Sequence, residues 1–263
     1  MNFPKNIFMP FVVIGDPNYD QSLLIIKSLI ANGAGALELG FAFSDPIADG
    51  PVIQSANKRA LENGINVSKT ISILKSIRSY SNIPISLMLS FNLVYNYGIE
   101  NFYRVCDEFK INAVLCPDVS LEESAELLSY SKKYGIDQVF LVSSMTNKER
   151  MIRINNYCSG YAYLVSLLGT TGVRSNLSST LPALIRNAKD NINVPVYVGF
   201  GISRPEHIIE VINMGADGAI TGSAICKIIE NNLCDFRKME EEIGVFCRNM
   251  SEAVVNIYKV GRT

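Results

Sequence analysis

Three carboxyl groups near the start of the chain have the type and spacing needed for proton transfer. Glu38 lies within the apolar segment at residues 36–39, and Asp45 and Asp49 follow in the loop at residues 41–52. Burying an ionised carboxyl group without a partner is costly. Carboxyl groups in unlike environments can differ enough in pKa for one to donate a proton while another stays charged. The pattern therefore predicts general acid–base chemistry.

At the level of the residues alone, each carboxyl group also has a structural interpretation. Glu38 can equally be satisfied by a basic partner, because ion-pair networks also place carboxyl groups in strands. Asp45-Pro46 and Asp49-Gly50 are ordinary turn pairs, and the loop taken alone is better explained by turn geometry. The position of Glu38 toward the carboxyl end of its predicted strand favours catalysis, because that end forms the active face of a barrel.

Glycines follow the last two predicted strands in a pattern that is typical of phosphate-binding barrels. Gly199 and Gly201 follow the seventh strand, and Gly222 and Ser223 follow the eighth and open a helix. Glycine lets backbone N–H groups approach an anion, and a helix N-terminus adds a favourable dipole. We expect a phosphate site here. Residues 169–172 can either add a third segment to that site or form a mobile lid.

The remaining reactive side chains favour neither a metal nor a cofactor. The six cysteines form no CxxC pair and there is one histidine, His207, so no zinc-binding cluster is expected. His207 stands at the start of the helix after the seventh strand, and we predict that it is exposed at the surface. The sequence contains no Walker loop and no nucleophile elbow. Reduced thiols are typical of a cytoplasmic protein.

Length and composition are those of one globular unit. The 263 residues are 48% hydrophobic and 19% charged, which is enough for a large core, and we predict one domain over residues 1–263. With 24 basic and 25 acidic residues, the chain lacks the excess of positive charge needed to bind nucleic acid. No apolar run approaches the roughly 18 residues that span a membrane. The apolar start is interrupted by Pro10, and we interpret it as a buried first strand rather than a signal peptide.

Short apolar runs alternate with segments of helical period along the whole chain. Such alternation predicts parallel strands joined by helical crossovers, and eight units in this length favour a closed (β/α)₈ TIM barrel of the α/β class. The two longest connecting segments, at residues 41–52 and 167–179, follow the second and sixth strands and are expected to build the site. The predicted strands lie at residues 8–14, 36–39, 85–89, 113–115, 138–142, 162–166, 194–198 and 218–221.

Residues 37–54, LELGFAFSDPIADGPVIQ, resemble the signature of the tryptophan synthase alpha chain family. This run is long and specific. The resemblance covers nearly the whole chain. It continues at residues 9–11, 15–17, 92, 98–99, 161–164 and 169–172, and it ends in the glycines after the last two strands.

The resemblance implies a lyase that splits indole-3-glycerol phosphate into indole and glyceraldehyde 3-phosphate. Glu38 would be the catalytic acid and base, and Asp49 would assist at the indole nitrogen. The indole pocket and the phosphate site would together be lined by Phe11, Leu115, Tyr163, Gly172, Gly201, Gly222 and Ser223.

The resemblance also implies a partner. Alpha chains of this family work with a beta chain in an α2β2 tetramer, to which they pass indole for tryptophan synthesis, and Asp45 would couple the acidic loop to that subunit. The alpha chain itself would need no cofactor, because the pyridoxal phosphate of the complex belongs to the beta chain.

Two departures from the family pattern leave alternatives open. Ser90 replaces a tyrosine that is usual near the substrate, and residues 143–145 read Ser-Ser-Met where a proline is common. Ser90 motivates a second interpretation, a mainly regulatory subunit with poor turnover, and the barrel sequence also permits a lyase that releases indole on its own. Another phosphate-binding barrel, such as a phosphoribosyl isomerase or indole-glycerol-phosphate synthase, fits the glycines but not the acidic run.

Overall fold

The computed structural model describes residues 3–165, 180–199 and 201–260, and its parallel strands form the predicted TIM barrel. The strands are short runs that are buried almost throughout, as expected for parallel strands covered on both faces. Their bounds are β1 Ile7–Val13, β2 Leu37–Gly40, β3 Ile85–Met88, β4 Ala113–Leu115, β5 Asp137–Gln138, β6 Phe140–Ser143, β7 Ala162–Val165, β8 Val196–Gly199 and β9 Gly218–Thr221.

The eight predicted strand positions are occupied, but the fifth consists of two short strands. The sheet order is β5-β4-β3-β2-β1-β9-β8-β7-β6, so its two ends are consecutive in the chain. β5 pairs with β4, whereas β6 pairs with β7. Between them the N–H of Val139 donates to the carbonyl oxygen of Val114 at 3.0 Å. The barrel thus closes through Val139, and the break lets one segment pair with both neighbours.

Helices cover the outside of the barrel, and the start of several is fixed by side-chain caps or by proline. Asn18 and Asn66 accept N–H groups from the first turns of α1 and α3, and Pro51 stands in the first turn of α2. The helices are α1 Tyr19–Ala31, α2 Pro51–Glu62, α3 Val67–Arg78, α4 Phe91–Tyr97, α5 Ile99–Glu108, α6 Ala125–Tyr134, α7 Lys148–Asn155, α8 Leu181–Asn191, α9 Pro205–Asn213, α10 Ser223–Asn231 and α11 Phe236–Val260, with a 3₁₀ turn at Leu121–Glu123.

Parallel strands bring their carboxyl ends to one rim, and the loops that follow them meet there. The loop between β2 and α2 lies on this rim and carries the predicted acids. The second predicted site loop, at residues 167–179, falls outside the described residues. None of the described helices is both long enough and apolar enough to cross a membrane.

Candidate active site

Glu38 is the second of the four residues of β2 rather than at its carboxyl end as predicted, because the strand runs one residue further, to Gly40, and neighbouring strands hold it on both sides. Its register partners are Phe11 on β1 and Ser86 on β3. Its relative exposure is 0%, so its carboxyl group is enclosed by the barrel. The backbone that carries it is held by hydrogen bonds of two parallel strand pairs, which fixes the position of the side chain far better than a loop does.

The Glu38 carboxyl group has one satisfied oxygen and one without a partner. Oε1 lies 3.1 Å from the hydroxyl of Tyr161, and that hydroxyl lies 2.9 Å from Oγ of Ser86. Tyr161 has a single proton, so it can donate to one of these neighbours at a time. Oε2 is buried and receives no hydrogen bond from the residues that the structure describes.

Burial raises the pKa of Glu38 from its usual 4.5 to about 8, opposed by the hydrogen bond from Tyr161 and reinforced by the negative charge of Asp49. A carboxyl group taken out of water favours its neutral form because an ion is poorly solvated in the interior. Glu38 is therefore an acid that keeps its proton near neutral pH.

Replacing Tyr161 with Phe is expected to raise the pKa of Glu38 further, because the phenol stabilises the ionised carboxylate. The change is measured by ¹³C NMR titration of the Glu38 side chain. Tyr197→Phe is the matched control, because its ring stacks on Tyr161 at 4.7 Å while its hydroxyl bonds to the carbonyl of Pro4. An unchanged or lower pKa in the Tyr161 variant would contradict this contact.

Asp49 lies at the end of the acidic loop, immediately before α2. Its Oδ2 accepts an N–H from the side chain of Asn57 at 3.2 Å, and its carbonyl oxygen accepts one from Gln54 at 2.8 Å. Burial raises the pKa of Asp49 to about 6, and the hydrogen bond from Asn57 opposes that rise. Asp49 is thus half-buried and largely ionised at neutral pH.

The two carboxyl groups form a pair with opposite protonation. Between pH 6 and 8, Glu38 is mostly neutral and Asp49 mostly charged. Environments that push two carboxyl pKa values apart are the usual way in which one site holds both a proton donor and a fixed negative charge. The arrangement can protonate one atom of a substrate while it stabilises positive charge on another.

A cleft of about 250 Å³ opens beside this pair. Its wall brings together Phe11, Asp45 and Asp49 from the predicted set. The fully buried Glu38 is not among the described wall residues. The full set of described wall residues is Phe11, Val13, Gly40, Phe41, Phe43, Asp45, Pro46, Ile47, Ala48, Asp49, Asn57, Met88, Leu89, Ser90, Asn92, Pro117 and Asp118.

The ring of Phe11 connects the acidic side of the rim to the predicted phosphate side. A Cβ atom added to Gly40 would lie 2.8 Å from this ring, and one added to Gly222 would also lie 2.8 Å from it. Both glycines are therefore required by the close approach of one aromatic ring. Gly222 precedes α10, whose first residue is Ser223, so a helix N-terminus faces the region next to Phe11.

A second glycine segment lies beside this N-terminus in the sheet order, after β8. Gly201 has φ +76°, in the left-handed region that favours glycine. Tyr163 packs where a Cβ of Gly199 would lie, so this position has no room for a side chain. The hydroxyls of Ser203 and Thr221, which flank the two segments, are buried and have no hydrogen-bond partner among the described residues. Unsatisfied donors beside a helix N-terminus suit an anion.

Two other predicted site residues are not among the residues that line the described cleft. Leu115 ends β4 and is 1% exposed, beneath the rim rather than on the described cleft wall. Gly172 lies outside the described residues. Their contacts with a ligand stay predictions.

Ser90, the first of the two expected departures from the family pattern, takes part in the structure of the rim. Its Oγ donates to Oδ2 of Asp118 at 2.6 Å, and the same carboxylate accepts the N–H of Phe91 at 2.9 Å. Ser90 also caps the start of α4. The departure therefore alters one wall of the cleft without touching Glu38 or Asp49.

The prediction that His207 is exposed is wrong. Its relative exposure is 1%, and its Nδ1 accepts the N–H of Ser203 at 3.3 Å while its Nε2 lies 3.0 Å from Nη2 of Arg204. The reason is helical periodicity, because His207 falls on the same buried face of α9 as Ile208 and Val211.

Three residues that matter in this site were not singled out from the sequence. Tyr161 reaches Glu38 from a segment distant in sequence, Ser86 lies beside Glu38 on the neighbouring strand β3, and only their polar character in buried runs hints at them. Asn57 had a clearer signal, because it is polar on the apolar face of α2. In the described parts of the chain, no group of three or more His, Cys, Asp or Glu side chains could hold a metal ion.

Comparison with known proteins gives one consistent result. The family model described as "Tryptophan synthase alpha chain" matches residues 2–255. The tryptophan synthase alpha chain of Methanothermobacter thermautotrophicus is 44% identical over 236 residues, covering 90% of this chain and 87% of that protein. The alpha chain of Photobacterium profundum is 43% identical, covering 95% of this chain and 93% of that protein.

Solved structures agree with the sequence comparisons. A chain from a structure of the tryptophan synthase α2β2 complex of the hyperthermophile Pyrococcus furiosus superposes with a TM-score of 0.88 at 35% identity, covering 94% of this chain and 98% of that chain. A mutant alpha subunit from the same organism gives a TM-score of 0.87 at 35% identity, with the same coverage.

Proposed function

The chain belongs to the tryptophan synthase alpha chain family, and we propose that Glu38 and Asp49 carry out the reaction of that family in it. The reaction is the retro-aldol cleavage of indole-3-glycerol phosphate into indole and D-glyceraldehyde 3-phosphate, so the protein is a carbon–carbon lyase. The observation that carries the assignment of residues is the enclosed Glu38 carboxyl group, which meets the hydroxyl of Tyr161 through one oxygen only, together with the half-buried Asp49 carboxyl group that Asn57 holds on the adjacent loop.

Cleavage begins with the transfer of a proton to the indole ring. Glu38 donates its proton to C3, which removes the aromaticity of the five-membered ring and places positive charge on the ring nitrogen. Asp49 accepts a hydrogen bond from that N–H and stabilises the charge. The protonated ring is now an electron sink for the bond that must break.

Glu38 then acts as a base in the second step. As a carboxylate it removes the proton from the hydroxyl on the carbon attached to C3. The C–C bond breaks, its electron pair returns to the ring, and an aldehyde forms on the phosphate-bearing fragment. The proton transferred to C3 stays on indole, and Glu38 is protonated again by the proton from the hydroxyl. The atoms and charges therefore balance without an added reactant. This cycle predicts a bell-shaped pH profile with limbs near 6 and 8.

The rest of the rim binds the two ends of the substrate in this proposal. Phe11, with Leu115 and Tyr163, packs against the indole. Gly201, Gly222 and Ser223 bind the phosphate, with Gly172 beside them. An anion at the N-terminus of α10 is favoured by free N–H groups and by the helix dipole.

Replacing Gly222 with Ala is expected to weaken phosphate binding, because the new Cβ would lie 2.8 Å from the Phe11 ring and push the two apart. We expect the KM for the substrate and the Kd for inorganic phosphate to rise at least about tenfold, the loss of one charge-assisted hydrogen bond. Calorimetry measures the Kd. Gly244→Ala in the outer helix α11 is the control, and unchanged phosphate affinity in the Gly222 variant would contradict this site.

The partner is a tryptophan synthase beta chain in an α2β2 assembly, to which the indole passes. We propose that Asp45, which is exposed on the middle of the acidic loop, couples that loop to the beta chain. Pyridoxal phosphate belongs to the beta chain in this scheme, and the alpha chain needs no cofactor. Residues 1–263 act as one catalytic domain. The six free thiols fit a cytoplasmic enzyme.

A test of this proposal compares wild type with Glu38→Gln in the presence of the cognate beta chain. A protein that turns over substrate loses indole output in the variant while still stimulating the beta reaction with added indole. A mainly regulatory subunit would give equal indole output in both forms, and that result would overturn the catalytic assignment.

A further inference from the structure

Asn57 is a polar residue on the buried face of α2, and its whole amide group is engaged. Its relative exposure is 3%. Nδ2 donates to Oδ2 of Asp49 at 3.2 Å and to the carbonyl of Ile53 at 2.9 Å, and Oδ1 accepts the N–H of Phe43 at 3.0 Å. The reversed amide would set its oxygen against a carboxylate and a carbonyl, so only this orientation satisfies all three partners.

These contacts reach both ends of the acidic loop. Phe43 lies shortly after β2, and Asp49 lies just before α2, so one side chain holds the two ends of the loop against the helix. Between them, Asp45 and Ile47 are exposed, and Ile47 is 76% exposed. The middle of the loop can therefore contact a partner while its two ends stay fixed.

We propose that Asn57 is a positioning residue that sets the orientation of the Asp49 carboxyl group toward the cleft. Its effect on turnover rests on the function proposed for Asp49. The bond to Oδ2 fixes the plane of the carboxyl group, so that Oδ1 can be presented to the substrate in a constant direction. Orientation of this kind has a large effect on rate, because a displacement of about 1 Å can cost 10²-fold.

Asn57→Asp separates the contact with Asp49 from the contact with Phe43. A carboxylate of the same shape still accepts the Phe43 N–H, but it has no N–H for Asp49 and repels it when ionised. We expect kcat for indole-3-glycerol phosphate cleavage to fall on the order of 10²-fold. The Kd for inorganic phosphate should stay within about twofold, because the hydrogen bonds of Asn57 described above go to the acidic loop and to its own helix rather than to the glycine segments. The pKa of Asp49 should rise above about 6, since Asn57 lowers it.

Gln54→Glu is the matched control on the same helix. It makes the same change from amide to acid, but Gln54 is exposed and bonds to the backbone oxygen of Asp49 rather than to its carboxyl group. An added exposed charge is expected to change kcat by about two- to fivefold at most. A loss in this variant equal to that of Asn57→Asp would show that charge alone is responsible and would overturn the proposal.

A second variant and a direct titration keep the test decisive. Asn57→Ser removes the amide without adding charge, and ¹³C NMR follows the Asp49 carboxyl carbon in each protein. Unchanged kcat and unchanged Asp49 titration in both Asn57 variants would overturn the positioning role. If Asp49→Asn proves fully active, the proposed function fails instead, and a shifted Asp49 titration in the Asn57 variants still supports the contact.

Discussion

Replacing Glu38 with Gln is expected to abolish cleavage of indole-3-glycerol phosphate while leaving the barrel intact. General acid–base catalysis contributes about 10²–10⁴-fold for each proton transfer, and Glu38 performs both transfers, so the loss should reach the upper end of that range. The measurement is steady-state release of indole by the purified variant. Glu62→Gln, an exposed carboxamide change at the end of α2, is the control and should keep wild-type activity.

The same variant is expected to be more stable than wild type in alkaline solution. The folded protein raises the pKa of Glu38 from 4.5 to about 8, so the stability gained from its protonated form is complete below pH 4.5 and is lost as the pH rises toward 8. The decline is about 1.4 kcal/mol for each pH unit. Glutamine cannot ionise, so the stability of the Glu38→Gln variant does not show this decline.

Urea unfolding at several pH values tests this stability difference. An inactive Glu38→Gln protein whose free energy of unfolding exceeds that of wild type above pH 8 would support a group kept for catalysis at a cost in stability. An inactive variant that is also unfolded would instead point to a structural carboxyl group. A variant with wild-type activity would contradict the proposed mechanism outright.

Replacing Asp49 with Asn is expected to lower kcat on the order of 10²–10³-fold, the usual loss when one group that stabilises transition-state charge is removed. The amide has no negative charge for the indole N–H, although its carbonyl can still accept a hydrogen bond. Phosphate binding should be unaffected, because the glycine segments lie on the other side of Phe11.

The pH dependence of kcat distinguishes this role from a loss of structure. Asp49 has a pKa of about 6, so wild-type activity should fall below that pH as the carboxylate is protonated. The Asp49→Asn variant should lose this acid limb and keep the alkaline limb that reports Glu38. An acid limb that persists in the variant would assign it to another group.

The barrel could be predicted because parallel strands buried on both faces have continuous apolar residues, which alternate clearly with amphipathic helices. The division of the fifth strand into β5 and β6 could not be predicted from the sequence. Residues 139–142 form one apolar run after Gln138, and the break at Val139 exists only because Gln138 pairs toward β4 while Phe140 pairs toward β7.

The acidic pair could be predicted from residue type and position, but its electrostatics could not. Glu38 and its donor Tyr161 are 123 residues apart in sequence, and no local pattern indicates that contact. The burial of Asn57 and His207 could have been predicted from the sequence. Both fall on the buried faces of their helices, and a stricter use of helical periodicity would have placed them there.

The most direct measurement is product release from purified protein and indole-3-glycerol phosphate, with and without the cognate beta chain. We predict equal amounts of indole and glyceraldehyde 3-phosphate, slow release by the chain alone and faster release with beta. Fast unassisted release would assign a lyase that works alone. No cleavage under either condition, from a folded protein that binds inorganic phosphate, would contradict the catalytic role of Glu38 and Asp49.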